Sequence, residues 1–271
     1  NNFDLVKRIY QEADEILNFK ISKIILEGPE HELQLTKNTQ PAILTVSYSI
    51  FKVLKDEFGF DFNSFKYFAG HSLGEYSALV CSDAIDLSDA LYLLHERGKA
   101  MQEAVPVGKG SMIAVLGLKI EEISVLINNL NDKKGICEIA NDNAVGQVII
   151  SGDKDSIQSL QNSLKEKKIK SIPLKVSAPF HCSLMKPAAE SMREKITNTK
   201  FKNPSFEIVN NVTAKPESDS NTIKNLLIDQ IFSTVKWRES LINMSNANIK
   251  NFIEIGPGKA FTGMVKRTIK T

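Results

Sequence analysis

The first part of the chain alternates apolar and polar positions with the period of an α-helix. Over residues 4–17 an apolar side chain recurs every three or four positions, which predicts a surface helix. A second helix is predicted from Thr39, which can act as its cap, to Gly59, with Pro41 tolerated in the first turn. The chain is therefore predicted to begin with helices.

A strand, a sharp turn and a helix are predicted next. Residues 65–69 form a short apolar and aromatic run that stops at Gly70, and a helical pattern follows over residues 73–80. A further helix is predicted over residues 88–104. On that helix Arg97 lies in line with apolar residues, which is an unusual position for a charge.

Between residues 108 and 176 the pattern changes to short alternating units. The predicted elements are a strand at 112–118, a helix at 121–130, strands at 136–140 and 147–151, a helix at 155–168 and a strand at 171–176. This βαββαβ order is typical of a ferredoxin-like subdomain. Gly108 and Gly110 before it, and Ala178 and Pro179 after it, are plausible hinges.

The rest of the chain alternates strands and helices again. The pattern predicts a strand at 206–210, helices at 222–232 and 238–245, a strand at 252–255 and a final helix. Strands and helices on both sides of an insert indicate an α/β fold. We expect a hydrolase-like core with a parallel sheet, formed by residues 1–107 and 177–271, and a small inserted subdomain at residues 108–176.

Composition excludes several classes of protein. The 271 residues include 34 basic and 32 acidic side chains, and this net charge of +2 is too small to indicate a nucleic-acid binder. No run of about 18 apolar residues occurs, so no membrane span is predicted. Three widely spaced cysteines fit a reducing compartment and show no zinc-binding spacing. We expect a cytoplasmic protein, with an organelle-targeting segment upstream of Asn1 left open.

The strongest local motif is GxSxG, from Gly70 to Gly74. Between a strand and a helix this motif indicates a nucleophile elbow, whose tight turn holds the hydroxyl of Ser72 above the sheet. In such an elbow the N–H of the next residue, Leu73, faces the developing oxyanion. The simpler alternative is a glycine-rich helix start with Ser72 as the N-cap.

A serine nucleophile needs a base, and the chain has four histidines. His31 lies in a polar loop and His71 is adjacent to the serine inside the turn, whereas His95 remains possible. His181 follows Phe180 in a loop after the insert, where catalytic residues are often presented. A core histidine packed on Phe180 is an equally plausible interpretation of His181.

Arg97 permits two interpretations. A guanidinium on an apolar face is costly unless it is paired. It could form a structural salt bridge with a buried acid such as Glu75 or Glu103. Alternatively, it could bind the carboxylate of a substrate in bidentate fashion, in which case an acyl group with a free carboxylate would be the natural ligand.

Several runs resemble one family over nearly the whole chain. They are TQPAIL at 39–44, GHSLGEYSAL at 70–79, the arginine at 97, APFH at 178–181 and EIGPGK at 254–259. Together they resemble the malonyl-CoA:acyl carrier protein transacylases, which load malonyl units for fatty-acid synthesis. The resemblance is much more specific than GxSxG alone.

The resemblance implies a role for each matching residue. Ser72 would be the nucleophile, His181 the base and Arg97 the residue that binds the malonyl carboxylate. The backbone carbonyl of Gln230 would orient the histidine in place of a triad acid. Phe180 resembles the residue found in malonyl-selective members, because an aromatic wall leaves little space for an α-methyl group.

Two departures from the family pattern stand out. Members usually begin with a strand and a GQGSQ-like loop that supplies a second oxyanion donor, and no such run follows Asn1. Thr234 and Lys236 also stand where the family often has proline and arginine or glutamine.

Three functions are therefore compatible with these residues. The first is transfer of malonyl from malonyl-CoA to acyl carrier protein by a monomer without metal or cofactor. The alternatives are a serine hydrolase or thioesterase with the same Ser72 and His181 pair, and a catalytically silent interaction module.

Carrier proteins of this system are acidic, so a basic rim should guide docking. The candidates, which could also be ordinary solvated side chains, are Lys165, Lys167, Lys168, Lys170, Lys266 and Arg267.

Overall fold

The computed structural model describes residues 3–130 and 135–269 of the chain. Within these ranges the chain forms twelve α-helices and seven strands. The helices are α1 (Asp4–Leu17), α2 (Ile21–Glu27), α3 (Glu30–Leu33), α4 (Thr36–Lys52), α5 (Gly74–Cys81), α6 (Leu87–Glu103), α7 (Ile120–Asn128), α8 (Lys154–Glu166), α9 (Lys186–Asn198), α10 (Ser220–Gln230), α11 (Trp237–Asn246) and α12 (Ala260–Thr268). The strands are β1 (Tyr67–Ala69), β2 (Gly110–Leu116), β3 (Cys137–Ala144), β4 (Gln147–Asp153), β5 (Ser171–Pro173), β6 (Glu207–Val209) and β7 (Pro216–Glu217).

The strands form two sheets, and the fold is α/β. One sheet has the order β1-β6-β7, with β1 parallel to β6 and β7 antiparallel at the edge. The predicted parallel core sheet is therefore a mixed sheet in the described residues. The other sheet has the order β3-β4-β2-β5 and is antiparallel throughout.

Each sheet has its own apolar core. The larger core packs α4, α5, α6, α9 and α10 together, and Leu44, Leu79 and Leu94 are fully buried in it. In the smaller core, α8 covers the four-stranded sheet with Ile157, Leu160 and Leu164. These positions recur every three or four residues, which explains why this segment forms a helix on the sheet.

The helix predicted to start near Thr39 begins earlier, and His95 forms a hydrogen bond to its backbone. α4 starts at Thr36, so Pro41 lies inside the helix and not in a capped first turn. A proline lacks the N–H that would bond to the carbonyl four residues back. That carbonyl, of Lys37, instead accepts a hydrogen bond from Nδ1 of His95 at 3.0 Å. His95 therefore completes the backbone of α4.

One further element prediction was wrong, and four observed elements, α2, α3, α9 and β7, were not predicted. Residues 252–255 were predicted as a strand, but within the described ranges they pair with no strand edge. An apolar run becomes a strand only where a neighbour supplies hydrogen bonds. The helix α9 was not predicted, because small Ala188 and Ala189 contribute half of its buried side chains and weaken the periodic signal. None of the helices in the described ranges has the length and apolar character that crossing a membrane requires.

A close helix crossing gives a testable stability difference between two glycines. A Cβ on Gly98 of α6 would lie 2.5 Å from the Cα of Lys37 in α4, whereas a Cβ on Gly263 of α12 would meet nothing within 4 Å among the described residues. We expect Gly98→Ala to lower the free energy of unfolding by about 1–3 kcal/mol through overpacking. Gly263→Ala should raise it by about 0.5–1 kcal/mol. Urea denaturation measures both, and equal stabilities would contradict the close packing.

Candidate active site

The serine of GxSxG lies at a tight turn between β1 and α5. Ser72 has φ +52°, in the left-handed region that residues other than glycine seldom adopt. A Cβ on Gly70 would lie 1.9 Å from the carbonyl oxygen of Gly74, so only glycine fits there, whereas a Cβ on Gly74 would meet nothing within 4 Å in the described ranges. The side chain of Ser72 does not cap α5, which starts after Leu73. The alternative of a simple helix cap is therefore wrong.

The hydroxyl of Ser72 is hydrogen-bonded to a buried histidine. Its Oγ lies 2.7 Å from Nε2 of His181. Nδ1 of the same ring lies 2.9 Å from the backbone carbonyl oxygen of Gln230. Because a carbonyl can only accept, Nδ1 carries the proton and Nε2 is free to take the serine proton.

The surroundings of His181 keep its ring neutral. Burial, and to a lesser extent the positive charge of Arg97, together lower the pKa of this imidazole to about 3. A neutral imidazole is the form that can accept a proton, so His181 is in the correct state to act as a base at neutral pH.

Arg97 is buried beside the serine and forms no ion pair with an acid in the described residues. Its side chain is 1% exposed. Nη2 donates to Ser72 Oγ at 3.1 Å and to Gln230 Oε1 at 2.9 Å, and Nη1 donates to Gln40 Oε1 at 2.6 Å. Neither Glu75 nor Glu103 forms an ion pair with Arg97 in the described residues. The guanidinium is thus held by neutral oxygens and can still bind an anion.

A buried carboxylate fixes the amides around this arginine. Glu75 accepts hydrogen bonds from the backbone N–H of Asn211 at 3.1 Å, from Gln230 Nε2 at 2.8 Å and from the side chain of Asn210. With its Nε2 on Glu75, the amide of Gln230 has to point its oxygen at Arg97. Burial raises the pKa of Glu75 to about 7, although its hydrogen bonds and Arg97 oppose that change.

Asn211 holds the strained turn itself. Its Oδ1 accepts from the backbone N–H of Ser72 at 2.6 Å, and its Nδ2 donates to the carbonyl of Gly70 at 2.7 Å. β6 ends at Val209 and is parallel to β1, so residues that follow β6 lie beside the elbow. This contact helps to maintain the unusual backbone of Ser72.

Three of these residues were not predicted to belong to the site. They are Gln40, Glu75 and Asn211, all buried and polar. Glu75 was predicted only as a possible salt-bridge partner of Arg97. Gln40 and Glu75 lie inside runs that carry the family resemblance, and Asn211 follows a predicted strand beside a second asparagine. A polar residue predicted to be buried next to a motif was the available signal.

The remaining predicted site residues lie around the same turn. Leu73 packs on the larger core, and its N–H has no acceptor within the described ranges, so it can face an oxyanion. Phe180 is half-buried against both the larger core and a small cluster that includes Met112 and Ala140. The selectivity predicted for Phe180 stays a prediction.

The other histidines lie elsewhere. His71 is half-buried, and its Nε2 lies 2.8 Å from Asn143 Oδ1. Burial lowers the pKa of His71 to about 4. His31 is exposed on α3, and His95 bonds to the backbone of α4. Of the four histidines, His181 is the one that contacts Ser72 in the described structure.

A cleft of about 630 Å³ leads to the histidine. Its lining on the side of the larger core includes His181, Phe232, Ser233, Thr234 and Lys236, and on the side of the four-stranded sheet Ser124, Ile127, Glu138 and Ile139. In the described residues, the cleft included, no group of three or more His, Cys, Asp or Glu side chains is arranged to hold a metal ion.

An acyl-transfer enzyme is the class that the fold, this site and the family comparison together define. The chain matches the acyl transferase domain family over residues 4–271. It is 41% identical over 264 residues to the malonyl CoA-acyl carrier protein transacylase of Bacillus subtilis, covering 96% of this chain and 81% of that protein. It is 37% identical over 271 residues to the enzyme of the same name from Escherichia coli, covering 100% and 86%.

Solved structures agree with these sequence comparisons. An acyl carrier protein S-malonyltransferase from Vibrio cholerae matches with a TM-score of 0.95 and 39% identity, covering 100% of this chain and 87% of that one. A malonyl-transacylase solved in complex with its type II PKS acyl-carrier protein matches with a TM-score of 0.95 and 38% identity, covering 99% and 86%. The chain therefore belongs to the malonyl CoA-acyl carrier protein transacylase family.

Proposed function

We propose that this acyltransferase transfers malonyl from malonyl-CoA to the phosphopantetheine thiol of an acyl carrier protein through an ester on Ser72. The proposal rests on one observation. The hydroxyl of Ser72 lies within hydrogen-bond distance of both an imidazole and a guanidinium that has no ion-pair partner in the described residues. Ser72 Oγ lies 2.7 Å from His181 Nε2 and 3.1 Å from Arg97 Nη2. The names of the relatives support malonyl as the acyl group and acyl carrier protein as the partner.

The first half-reaction makes the acyl-enzyme. Nε2 of His181 takes the proton of Ser72 while Oγ attacks the thioester carbonyl carbon. The Leu73 N–H donates to the resulting oxyanion, and a second donor from an upstream loop stays a prediction. The C–S bond then breaks, and the imidazolium returns its proton to the departing CoA sulfur.

The second half-reaction runs the same steps in reverse. The carrier's thiol gives its proton to His181 and attacks the ester carbonyl on Ser72. The C–O bond breaks, and the imidazolium reprotonates Oγ. Throughout, the carbonyl of Gln230 accepts a hydrogen bond from the Nδ1–H and keeps Nε2 directed at the reacting atoms.

Arg97 provides the selectivity for a diacid in this proposal. A malonyl carboxylate can accept two parallel hydrogen bonds from the guanidinium fork. It would replace neutral oxygens that now accept from Arg97, such as those of Gln40 and Gln230. Because the site is buried, a charged partner stabilises the arginine more than neutral oxygens do.

Two structural units fit this function. We assign residues 108–176 to a ferredoxin-like unit, which the βαββαβ order and the strand order β3-β4-β2-β5 support. Residues 1–107 and 177–271 form the hydrolase-like core, and the cleft between the units would admit the thioester arm.

The chemistry requires no cofactor. Of the basic candidates, Lys165, Lys168 and Lys170 line a separate groove of about 490 Å³, and their role in carrier docking, like the monomeric state, stays a prediction.

Intact-mass spectrometry tests the proposed function. Incubation with malonyl-CoA is expected to add one malonyl group at Ser72, and holo acyl carrier protein added next should remove it and gain the same mass. Acetyl-CoA serves as the control for the carboxylate. Release of free malonate without transfer would support a hydrolase instead, and absence of labelling would support a silent module.

A further inference from the structure

β3 of the four-stranded sheet pairs with the backbone of Val235, which lies between α10 and α11. Val235 donates its N–H to the carbonyl of Ala140 at 2.8 Å, and Asp142 donates its N–H to the carbonyl of Val235 at 3.0 Å. Asn141 and Val235 form a parallel bridge. The segment paired in this way begins five residues after Gln230, whose carbonyl holds the imidazole. β3 is therefore hydrogen-bonded to the segment that orients the base.

A carboxylate on β3 holds the loop that carries the base. Glu138 accepts two hydrogen bonds from Ser183, through Oε2 from the backbone N–H at 2.8 Å and through Oε1 from Oγ at 2.6 Å. Ser183 is two residues after His181, whose φ of +57° is unusual for a residue other than glycine. Such a backbone persists only where its surroundings enforce it. The contact between Glu138 and Ser183 is one such enforcement.

The same strand holds the loop that carries the nucleophile. Asn143 Oδ1 lies 2.8 Å from Nε2 of His71, the residue before Ser72. Between these two contacts, Asp142 makes a bidentate ion pair with Arg238 of α11, with three N···O distances of 2.9–3.0 Å. One strand of the smaller unit thus contacts three segments of the larger core around the reacting atoms.

We propose that β3 positions the two reacting side chains relative to each other, and that Glu138 is a positioning residue for His181. The proposal rests on the proposed function for its rate measurement. Glu138 acts through Ser183 and need not touch substrate. Because a displacement of about 1 Å can reduce a rate about 100-fold, loss of this contact should slow the chemistry more than it weakens substrate binding.

The chain offers a matched control for the Glu138 contact. Asp14 of α1 holds one serine in the same way, accepting from the backbone N–H of Ser22 at 2.8 Å through Oδ1 and from its Oγ at 2.7 Å through Oδ2. This pair joins α1 to α2, and Lys20 Nζ also lies 3.3 Å from Asp14 Oδ2. Asp14→Ala therefore removes the same two kinds of hydrogen bond without touching β3 or the loop of His181.

The experiment measures kcat and KM for malonyl-CoA, with the melting temperature as a check on folding. Glu138→Ala is expected to lower kcat about 10- to 100-fold with little change in KM. Glu138→Gln keeps one oxygen for the N–H of Ser183 and should recover part of the rate, to within several-fold of the wild type. Asp14→Ala should lower the melting temperature and leave kcat unchanged. If Glu138→Ala does not fold, a several-fold loss of kcat at unchanged KM in Glu138→Gln carries the test.

Contrary results are equally specific. An unchanged kcat in Glu138→Ala, a change confined to KM, or an equal loss of kcat in Asp14→Ala would each overturn the positioning role. Labelling of Ser72 by a fluorophosphonate probe separates this proposal from the proposed function, because it needs an activated serine and no malonyl group. Slower labelling in Glu138→Ala supports the positioning role even if the wild type transfers no malonyl, and equal labelling rates overturn it.

Discussion

Replacement of Ser72 by alanine is expected to reduce malonyl transfer by about 10⁴- to 10⁶-fold, because no other group can form the acyl-enzyme. His181 and Arg97 remain in place, so malonyl-CoA should still bind. The measurement is the initial rate of malonylation of holo acyl carrier protein, together with the intact mass of the enzyme after exposure to malonyl-CoA. The mass of Ser72→Ala should not change.

A serine one turn along α5 provides the control. Ser77 has a buried Oγ that finds no hydrogen-bond partner in the described structure, so Ser77→Ala removes no contact and should transfer malonyl at the wild-type rate. Transfer by Ser72→Ala at more than a hundredth of the wild-type rate would place the nucleophile elsewhere. A stable malonyl ester on another residue would have the same meaning.

Arg97→Ala is expected to have the second largest effect, and this effect should be selective. Loss of two charge-assisted hydrogen bonds, at about 1.5–3 kcal/mol each, should lower the rate of acylation by malonyl-CoA by about 10²- to 10⁴-fold. Acylation by acetyl-CoA, which has no free carboxylate, should be little affected or faster. Single-turnover acylation with the two thioesters measures the ratio.

Two further observations decide what Arg97 does. Arg97→Lys keeps the charge but loses the fork, so it should recover only part of the rate with malonyl-CoA. Removal of the guanidinium also leaves the oxygens of Gln40 and Gln230 without their donor, so a lower melting temperature is expected in Arg97→Ala. An equal loss with both thioesters would mean that Arg97 organises the site and does not recognise the carboxylate.

Much of the site was predictable because its signals are local in sequence. The strand, turn and helix around Ser72 follow from a short apolar run, a glycine and a helical pattern. Arg97 stood out as a charge in line with apolar residues, and the structure buries it completely. In both cases the information lies within a few turns of chain, where periodicity is reliable.

Other features depended on distant contacts. Thr39 and Pro41 indicated a helix start, but α4 continues through the proline because His95, on α6, replaces the missing donor. Residues 252–255 have the composition of a strand and lack a neighbour in the described sheets. The local sequence does not show the role of three polar residues, which depends on contacts made on folding. Gln40 accepts from Arg97, Asn211 accepts from the N–H of Ser72, and Glu75 accepts from the N–H of Asn211.

By itself the sequence determined the kinds of element, their order and which residue types could carry acyl transfer, because backbone propensity and side-chain chemistry belong to each short segment. Only the tertiary structure decided which of four histidines meets the serine, and that the buried arginine is held by amide oxygens and not by an acid. These outcomes depend on packing between segments that are 57 to 133 residues apart in the chain. Distance and desolvation, which set the state of His181, exist only after that packing is complete.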